Sequence, residues 1–542
     1  MKNIGDFDYI IAGGGAAGCV LANRLSADPD VTVLLLEAGN DEKWIWTRIP
    51  VGYLYCINNP RTDWCYKTEP EAGLNGRSII YARGKGLGGS TLINAMLYLR
   101  GQERDYTEWA ELTGDSSWSW ESCFAAFKEV EDHWSGGSEN HSAGGEWRVE
   151  QQRLSWEVLD RYIDAANQAG IPVSEDFNGG DNLGISHFEV NQKRGTRWSS
   201  VRGFLDPVRS RSNLKIITGA LSDKLVLEGK QVKGIEFIQN GERCVAYSRI
   251  ETVLAAGSIG SPAILQRSGI GEAETLQALG IPVAHELPGV GNNLQDHLQL
   301  RTVFKVSGIK TLNQTANSLW GKAMMGLEYA LYRRGPLTMA PSQLGLFARS
   351  DESVPTPDLE FHIQPLSLDK FGDPLHKFPA ITSSVCDLRP QSRGHIKIAD
   401  TDPAAAPKIA PNYLTHEADR AKAAKALRLA RRIAEQPALA PYQPEEYVPG
   451  TNYQSDEELA VAAGNVGTTI FHPVGTCKMG QANDPLAVTD SRLRVLGLSG
   501  LRVVDASIMP TITSGNTSSP TIMIATRGAR MIREDRKAQA AG

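Results

Sequence analysis

Three glycines near the start of the chain are spaced in a way that suits phosphate binding. Gly13, Gly15 and Gly18 fit the pattern G-x-G-x-x-G. In this pattern the first glycine permits a tight turn, the second lets a pyrophosphate approach the backbone, and the third lets a helix pack on a strand. Glu37 follows at about the distance at which an acid binds a ribose hydroxyl. Ordinary turn glycines can have the same spacing, so the flanking elements must distinguish a phosphate-binding motif from a simple turn.

The residues around these glycines predict a strand, a turn, a helix and a second strand. Residues 8–12 are mostly apolar, residues 16–25 are rich in Ala and Leu, and residues 31–37 form another apolar run that ends in Glu37. The amino end of the helix would then face the phosphates of a ligand. This context predicts a dinucleotide site, and the motif itself does not distinguish FAD from NAD.

Composition narrows the class of protein. The chain has 542 residues, a net charge of -6 and 41% hydrophobic residues, which fits a soluble globular enzyme of two or more domains without the basic excess of nucleic-acid binders. Residues 1–7 lack the apolar run of a signal peptide, and no apolar stretch is long enough to span a bilayer. We therefore expect a cytoplasmic protein without nucleic-acid partner or integral membrane segment, with peripheral attachment to the inner face of a membrane left open.

The cysteines and histidines do not suggest a metal site. The seven cysteines are scattered and form no C-x-x-C pair, so each is expected to be a small buried residue rather than a disulfide partner or a ligand. No closely spaced metal-binding cluster and no G-x-S-x-G motif occur. We predict no metal, and metallohydrolase and serine hydrolase are poor interpretations.

Later segments predict a mixed α/β fold. Strand patterns recur at 213–218, 226–228, 234–237, 251–257, 359–363, 395–398 and 501–505, and helices are predicted at 261–271, 418–435 and 521–532. Residues 533–542 are expected to fray. Residues 300–449 suggest a second, mostly antiparallel domain.

Several further motifs together resemble the glucose-methanol-choline (GMC) oxidoreductases, FAD enzymes that oxidise alcohols. Beyond the glycine motif, the resemblance rests on residues 84–94, 257–271, 288–297, 471–480 and 504–517, and it runs nearly end to end. It implies a Rossmann-like FAD-binding domain built from residues 1–155, 210–305 and 455–542. A substrate-binding domain, with a mostly antiparallel sheet flanked by helices, would comprise residues 156–209 and 306–454.

The resemblance also assigns cofactor-binding residues. Glu37 is expected at the adenosine ribose, the glycine motif at the pyrophosphate, residues 88–94 beside the isoalloxazine ring, and Asp505 near the pyrophosphate and ribityl chain. Some members attach the flavin through a His at the position of Ile93, so we expect non-covalent FAD here. The full predicted set is Gly13, Gly15, Ala16, Ala17, Gly18, Glu37, Ala38, Gly84, Gly88, Gly89, Asn94, Ala256, Gly257, Asp505, Ala506, Asn516 and Thr517.

Alcohol oxidation needs a base for the hydroxyl proton while hydride passes to flavin N5, and His suits a base with a pKa near neutrality. His472 matches the position of the family's catalytic His, and Asn516 matches a second catalytic position that is His or Asn in different members. An Asn cannot titrate, but its amide can donate to the substrate oxygen and orient it. We predict that His472 is the general base and that Asn516 orients the alcohol.

The resemblance is strongest to the choline dehydrogenase-like and alcohol dehydrogenase branch. Fatty acid photodecarboxylases are a second candidate, but they carry a Cys before Arg-Pro-Gln-Ser, where this chain has Leu388, and they lack both catalytic positions. A flavin-binding protein without catalysis is a third candidate, and the presence of His472 and Asn516 argues against it.

Choline itself is a doubtful substrate. Enzymes that bind its trimethylammonium group place a Glu in a segment that aligns with residues 340–345, where this chain has Gln343. A neutral primary alcohol, whether aliphatic, aromatic or polyether, therefore fits better. His362 and Phe471 are further candidate substrate contacts, although His362 is equally well explained as a structural residue. The electron acceptor, O2 or another molecule, stays open.

Overall fold

Two large β-sheets organise the chain in this computed structural model, which describes residues 1–369 and 373–541. The strands are β1 (Lys2–Ala12), β2 (Val33–Glu37), β3 (Glu131–His133), β4 (Trp147–Val149), β5 (Gly184–His187), β6 (Gln192–Lys193), β7 (Thr196–Arg197), β8 (Leu214–Thr218), β9 (Ala220–Glu228), β10 (Gln231–Gln239), β11 (Glu242–Leu254), β12 (Ile270–Gly271), β13 (His285–Glu286), β14 (Asn292–Leu294), β15 (Leu298–Leu300), β16 (Val303–Lys305), β17 (Leu344–Ala348), β18 (Leu359–Gln364), β19 (Ala380–Asp387), β20 (Gly394–Lys397), β21 (Lys408–Ala410), β22 (Glu445–Val448), β23 (Gly467–Thr469) and β24 (Leu501–Val503). The α-helices are α1 (Ala16–Leu25), α2 (Tyr53–Cys56), α3 (Glu103–Thr113), α4 (Trp120–Val130), α5 (Glu157–Gln168), α6 (Gly257–Arg267), α7 (Ala273–Ala278), α8 (Leu312–Ala316), α9 (Leu319–Tyr332), α10 (Glu417–Ala434), α11 (Asp456–Val466) and α12 (Ser518–Ala541).

The first sheet joins the two ends of the chain. Its order is β8-β2-β1-β11-β10-β9, and β24 pairs with β11. The strands β8, β2, β1, β11 and β24 run parallel, and every residue of β2 is buried, as expected for a strand covered on both faces. The predicted strand-turn-helix-strand unit at residues 8–37 is confirmed, and so is the strand predicted at 501–505.

The second sheet is antiparallel. Its order is β22-β16-β19-β18-β17-β5, and β15 pairs with both β19 and β23. The predicted mixed α/β fold is therefore confirmed. The domain boundaries stay a prediction; β15 and β23, which fall inside segments assigned to the cofactor domain, pair within the second sheet.

Helix α6 begins earlier than the sequence suggests. We predicted a helix at 261–271 with Pro262 in its first turn, whereas α6 starts at Gly257 and places Pro262 in its interior. Proline cannot donate a backbone hydrogen bond to the residue four positions before it. The carbonyl of Ser258 instead accepts from Thr476 Oγ1 at 2.7 Å, which explains how the helix tolerates the proline.

The C-terminal helix is longer than predicted. We expected fraying from residue 533, but α12 continues to Ala541 and packs along α1. Charged side chains near its end have distant partners: Asp535 binds Arg502 of β24 at 2.6 Å, and Arg536 binds Asp28 of the turn between α1 and β2 at 2.7 Å. These ion pairs supply the tertiary contacts that the sequence pattern does not reveal. Among the described residues, no helix is both long and apolar enough to cross a membrane.

Candidate active site

A cavity of about 840 Å³ connects the glycine turn to His472. Its lining includes Gly13 from the turn after β1, Glu37 from the first sheet and His362 from the second. Its volume lies in the range of roughly 300–1,000 Å³ typical of ligand and cofactor sites. The predicted dinucleotide and catalytic residues therefore share one cavity.

The glycine turn has the geometry that each glycine was predicted to provide. Gly13 has a φ of 113°, and a Cβ there would lie 2.5 Å from the carbonyl oxygen of Ala255. A Cβ on Gly18 would lie 1.9 Å from the carbonyl oxygen of Gly13, so Gly18 permits α1 to pack on β1. A Cβ on Gly15 would meet no protein atom closer than 4.0 Å. Gly15 is thus the glycine whose missing side chain leaves space for a ligand rather than for the protein.

The residues at this end of the cavity fit the ADP portion of FAD. No side chain caps the first turn of α1, where Ala16 and Ala17 line the cavity, so its backbone N–H groups suit a pyrophosphate. The Glu37 carboxylate accepts from the backbone N–H groups of Gly14 at 2.9 Å and Gly39 at 2.7 Å. This contact fixes an acceptor where a ribose hydroxyl is expected.

The loop at residues 84–94 packs directly on the glycine turn. Gly88 donates its N–H to the carbonyl of Gly14 at 2.7 Å, and a Cβ on Gly89 would lie 2.8 Å from the Cα of Gly15. Asn94 is held by Arg197, whose Nη1 donates to Asn94 Oδ1 at 2.7 Å. The close contacts of Gly88 and Gly89 require glycine. They fix the position of the loop at residues 84–94, which forms one wall of the cavity.

A third wall comes from the C-terminal part of the chain. The Asp505 carboxylate accepts from the N–H of Gly257 at 2.9 Å, from Ser261 Oγ at 2.6 Å and from the N–H of Ser507 at 2.8 Å. Asp505 therefore joins the start of α6 to the segment that follows β24. These bonds attach the C-terminal segment to the wall of the cavity that α6 forms.

The backbone at His472 is fixed from both sides. Phe471, with a φ of 68°, adopts the left-handed conformation that is uncommon for a residue with a side chain. Arg83 donates to the carbonyl of Phe471, and Asp296 Oδ1 accepts from the N–H of His472 at 2.7 Å. Asp296 is itself bound by Thr469 Oγ1 at 2.6 Å. These bonds aim the His472 ring into the cavity.

The hydrogen bonds of two neighbouring rings define the tautomer of His472. His297 Nε2 lies 3.2 Å from the carbonyl of Leu388, which can only accept, so Nε2 carries the proton and Nδ1 of a neutral His297 is an acceptor. His472 Nδ1 lies 3.1 Å from His297 Nδ1 and therefore donates to it. His472 Nε2 is then unprotonated, and it lies 3.0 Å from Asn516 Nδ2, which donates. The arrangement leaves a basic nitrogen beside Asn516.

Burial keeps this group of histidines neutral. Burial lowers the pKa of His472 well below its usual value, and His297, His362 and Arg83 lower it further. Burial also lowers the pKa of His297 to about 4. A neutral His472 can accept a proton at neutral pH, as a general base must.

His362 lines the cavity beside a second buried group. Burial lowers the pKa of His362 to about 3 and raises the pKa of Glu360 to about 8, so both are neutral near pH 7. The Glu360 Oε1 and His362 Nε2 atoms lie 3.4 Å apart. Cys386 completes a group whose ligand atoms lie within 4.8 Å of one another, but metal binding would need the thiolate and the carboxylate, which burial disfavours. Absence of a metal stays a prediction.

Most of the predicted site residues line this one cavity. They are Gly13, Gly15, Ala16, Ala17, Glu37, Ala38, Gly84, Gly89, Asn94, Ala256, Gly257, His362, Phe471, His472, Asp505, Ala506, Asn516 and Thr517. The lining does not include Gly18 and Gly88, which pack backbone segments together, or Gln343, whose Nε2 donates to the carbonyl of Ala340 at 2.7 Å.

Sequence reasoning missed the apolar part of the lining. This part comprises Leu312, Met325, Leu337, Met339, Leu366, Leu368 and Leu375, together with Trp46, Tyr53, Leu54, Tyr55, Trp64 and Tyr66. The aromatic residues belong to an aromatic-rich, irregular segment that was visible in the sequence without a motif to assign it. Sequence reasoning also missed His297, which belongs to a family motif but touches His472, the predicted general base, only in the folded chain.

Comparison with known proteins identifies the family of this fold and site. Family models described as GMC oxidoreductase match residues 7–299 and residues 390–525. The family is one of FAD flavoproteins that act on CH–OH donors. The match agrees with the motifs named above, and the predicted resemblance is confirmed.

Similar proteins and structures extend over nearly the whole chain. An oxygen-dependent choline dehydrogenase from Chromohalobacter salexigens is 40% identical, covering 98% of this chain and 96% of the relative. An alcohol dehydrogenase [acceptor] from Pseudomonas putida is 39% identical, covering 97% and 95%. The crystal structure of pyridoxine 4-oxidase from Mesorbium loti has a TM-score of 0.87 at 31% identity, covering 97% of this chain and 99% of that one. An FAD-dependent oxidoreductase from Chaetomium thermophilum has a TM-score of 0.89 at 26% identity, covering 98% and 100%.

Proposed function

Because the chain belongs to the GMC oxidoreductase family, we propose that it binds FAD and oxidises a primary alcohol to the aldehyde. In this proposal His472 is the general base and Asn516 orients the alcohol. The single observation that carries it is the contact of 3.0 Å between Asn516 Nδ2 and His472 Nε2 at the wall of the cavity.

The tautomer of His472 supports its role. The alcohol proton passes to Nε2, and Nδ1–H keeps its hydrogen bond to His297 throughout. When the alcohol binds, its O–H would replace Asn516 Nδ2 as the hydrogen-bond partner of the single lone pair on Nε2, and the Asn516 amide would instead donate to the alcohol oxygen. When bound, FAD supplies the acceptor for the two electrons and the hydrogen that leave the alcohol carbon.

The apolar side chains of the lining support a neutral substrate. Leu312, Met339, Leu366 and Leu368 form one buried cluster with Met325 packed against it, and all five line the cavity. The described charged residues beside this cluster in the lining are Arg301, Lys322 and Asp373, which do not form an anionic site. Without an anionic site, a quaternary ammonium group would have only the aromatic side chains of the lining as partners, whereas the aliphatic cluster suits the chain of a neutral alcohol.

A panel of alcohols tests the substrate class. We expect neutral primary alcohols with aliphatic or aromatic chains to bleach the bound flavin anaerobically, with a kcat/KM well above that for choline. Peroxide formation, measured beside dye reduction, would separate O2 from another electron acceptor. Choline turnover as efficient as that of the best neutral alcohol would refute the neutral-substrate assignment. If no alcohol bleached the flavin, the enzymatic proposal itself would be wrong.

We also propose that FAD is held without a covalent bond. Ile93 lines the cavity at the position where some family members carry a flavin-linked His, and its hydrocarbon side chain cannot form that bond. Acid denaturation followed by centrifugation should leave the yellow FAD in the supernatant. A yellow pellet would show covalent attachment at another residue.

A further inference from the structure

Helix α9 turns an apolar stripe toward solvent. Trp320 is 75% exposed, Met324 43%, Leu327 51% and Leu331 62%. Their spacing of four, three and four residues places them on one face of the helix. A helix of a globular domain ordinarily packs such a stripe against the core. Here the outward face is the apolar one.

The opposite side of α9 is attached to the rest of the protein. Tyr329 is buried, and its hydroxyl donates to the carbonyl of Gly195 at 3.1 Å. Met325 packs against the apolar cluster of the cavity lining. Because α9 already packs against the protein through these residues, its exposed stripe is a second apolar face and not the one that packs against the core.

The helix that carries the stripe also contributes to the lining of the active-site cavity. Lys322 and Met325 of α9 line the cavity, and so do Leu54 and Tyr55 of the segment around α2. Leu54 and Tyr55 are themselves 37% and 51% exposed. Leu54 and Tyr55 therefore form, beside α9, an apolar rim where the cavity lining meets the surface.

Charge around the stripe is opposite in sign to that of the whole chain. The chain has a net charge of -6, yet residues 310–334 contain four basic residues and one acidic residue. Lys310, Lys322, Arg333 and Arg334 are all exposed. The single acid, Glu328, is paired with Arg334 at 3.3 Å.

We propose that α9 and the rim at residues 54–55 dock on the surface of a lipid bilayer that contains anionic lipids. The stripe of Trp320, Met324, Leu327 and Leu331 would enter the headgroup boundary, and the basic side chains would contact the lipid phosphates. Trp320 near the start of the helix and Tyr332 at its end suit this boundary, because each side chain combines an apolar body with a polar group. The cavity then opens onto the membrane, from which apolar alcohols can enter directly.

A second copy of the chain is a less suitable occupant. A two-fold contact through this face would place the same basic side chains of both copies near one another. An anionic lipid surface instead complements them.

Co-sedimentation of the FAD-loaded protein with vesicles tests the proposal. Wild type should sediment with phosphatidylcholine vesicles that contain phosphatidylglycerol, and less with phosphatidylcholine alone, and added salt should weaken binding. The double variant Leu327→Ser/Leu331→Ser should lose at least tenfold in vesicle affinity. Neither residue lines the cavity, so the variant should keep its rate of flavin reduction by a water-soluble alcohol.

A matched control separates this face from general surface hydrophobicity. Leu112 is an exposed leucine on α3, and Leu112→Ser should bind vesicles as wild type does. Wild type that stays in the supernatant, or a double variant that binds like wild type, would overturn the proposal. Equal binding to both vesicle types would also overturn it. A dimer that dissociates in the double variant, without vesicle binding, would assign the stripe to a second copy.

Discussion

His472 depends on residues that a search for catalytic groups would not select. Asp296 and Arg83 fix the peptide group between Phe471 and His472, and His297 accepts the Nδ1–H hydrogen bond. The carbonyl of Leu388 in turn fixes His297. Each of these contacts acts on the position or tautomer of one imidazole, so the basicity of Nε2 is a property of the group of residues.

This arrangement predicts a specific pH dependence. Burial lowers the pKa of His472 below 6.5, so kcat/KM of wild type should stay constant above pH 6.5 and fall only below it as His472 becomes protonated. His297→Leu removes the acceptor for Nδ1–H, and an unsatisfied buried N–H costs about 1–3 kcal/mol, or roughly tenfold to hundredfold in rate.

His297→Gln is the matched control for this prediction. Its side-chain oxygen can accept the same proton, so it should recover part of the rate that His297→Leu loses. A His297→Leu profile that superimposes on wild type would show that His297 has no influence on the base.

At the scale of elements, the turn between β1 and α1 separates two roles for glycine. Gly18 lies against the backbone of Gly13, whereas Gly15 faces the cavity without a close protein contact. Both glycines look alike in the sequence motif. Only the structure distinguishes the glycine needed for folding from the one needed for ligand approach.

Two alanine substitutions test this distinction. Gly15→Ala should leave the melting temperature of the apoprotein nearly unchanged but weaken FAD binding by about tenfold or more, since ~1–3 kcal/mol is typical of a methyl group forced into a filled space. Gly18→Ala, in contrast, should lower the melting temperature of the apoprotein, because its Cβ would overlap the carbonyl of Gly13. Thermal unfolding and fluorescence titration with FAD measure the two effects. Equal loss of apoprotein stability in both variants would contradict these assignments.

The sequence predicted the elements with strong periodicity and missed those set by tertiary contacts. The buried strands and the helix at 418–435 have patterns that local physics explains, and α10 spans Glu417–Ala434. The end of α12 could not be predicted, because its ion pairs join residues far apart in the chain. The sequence of α9 likewise does not reveal which way its apolar face points. The same pattern of apolar residues is expected whether that face packs against the core or faces solvent.

At the scale of the whole molecule, the active site is assembled from both ends of the chain. Arg502 of β24 is almost fully buried and pairs with Glu251 of β11 at 2.8 Å and with Asp535 of α12 at 2.6 Å. The C-terminal segment thus completes the sheet begun by β1 and carries Asn516 to His472. The motifs predicted which residues meet, since family resemblance encodes that assembly, but the charge network and the apolar rim required the folded chain.

The central claim is that His472 removes the alcohol proton, and anaerobic stopped-flow reduction of the flavin tests it most directly. With the best primary alcohol of the panel, His472→Ala should reduce the flavin roughly 10²- to 10⁴-fold more slowly than wild type, the range expected for loss of a general base. His395→Ala, which removes a histidine of β20 outside the cavity lining, should match wild type. If the rate of His472→Ala stayed within about twofold of wild type, the loss would be far smaller than that expected for a general base, and the account would be contradicted.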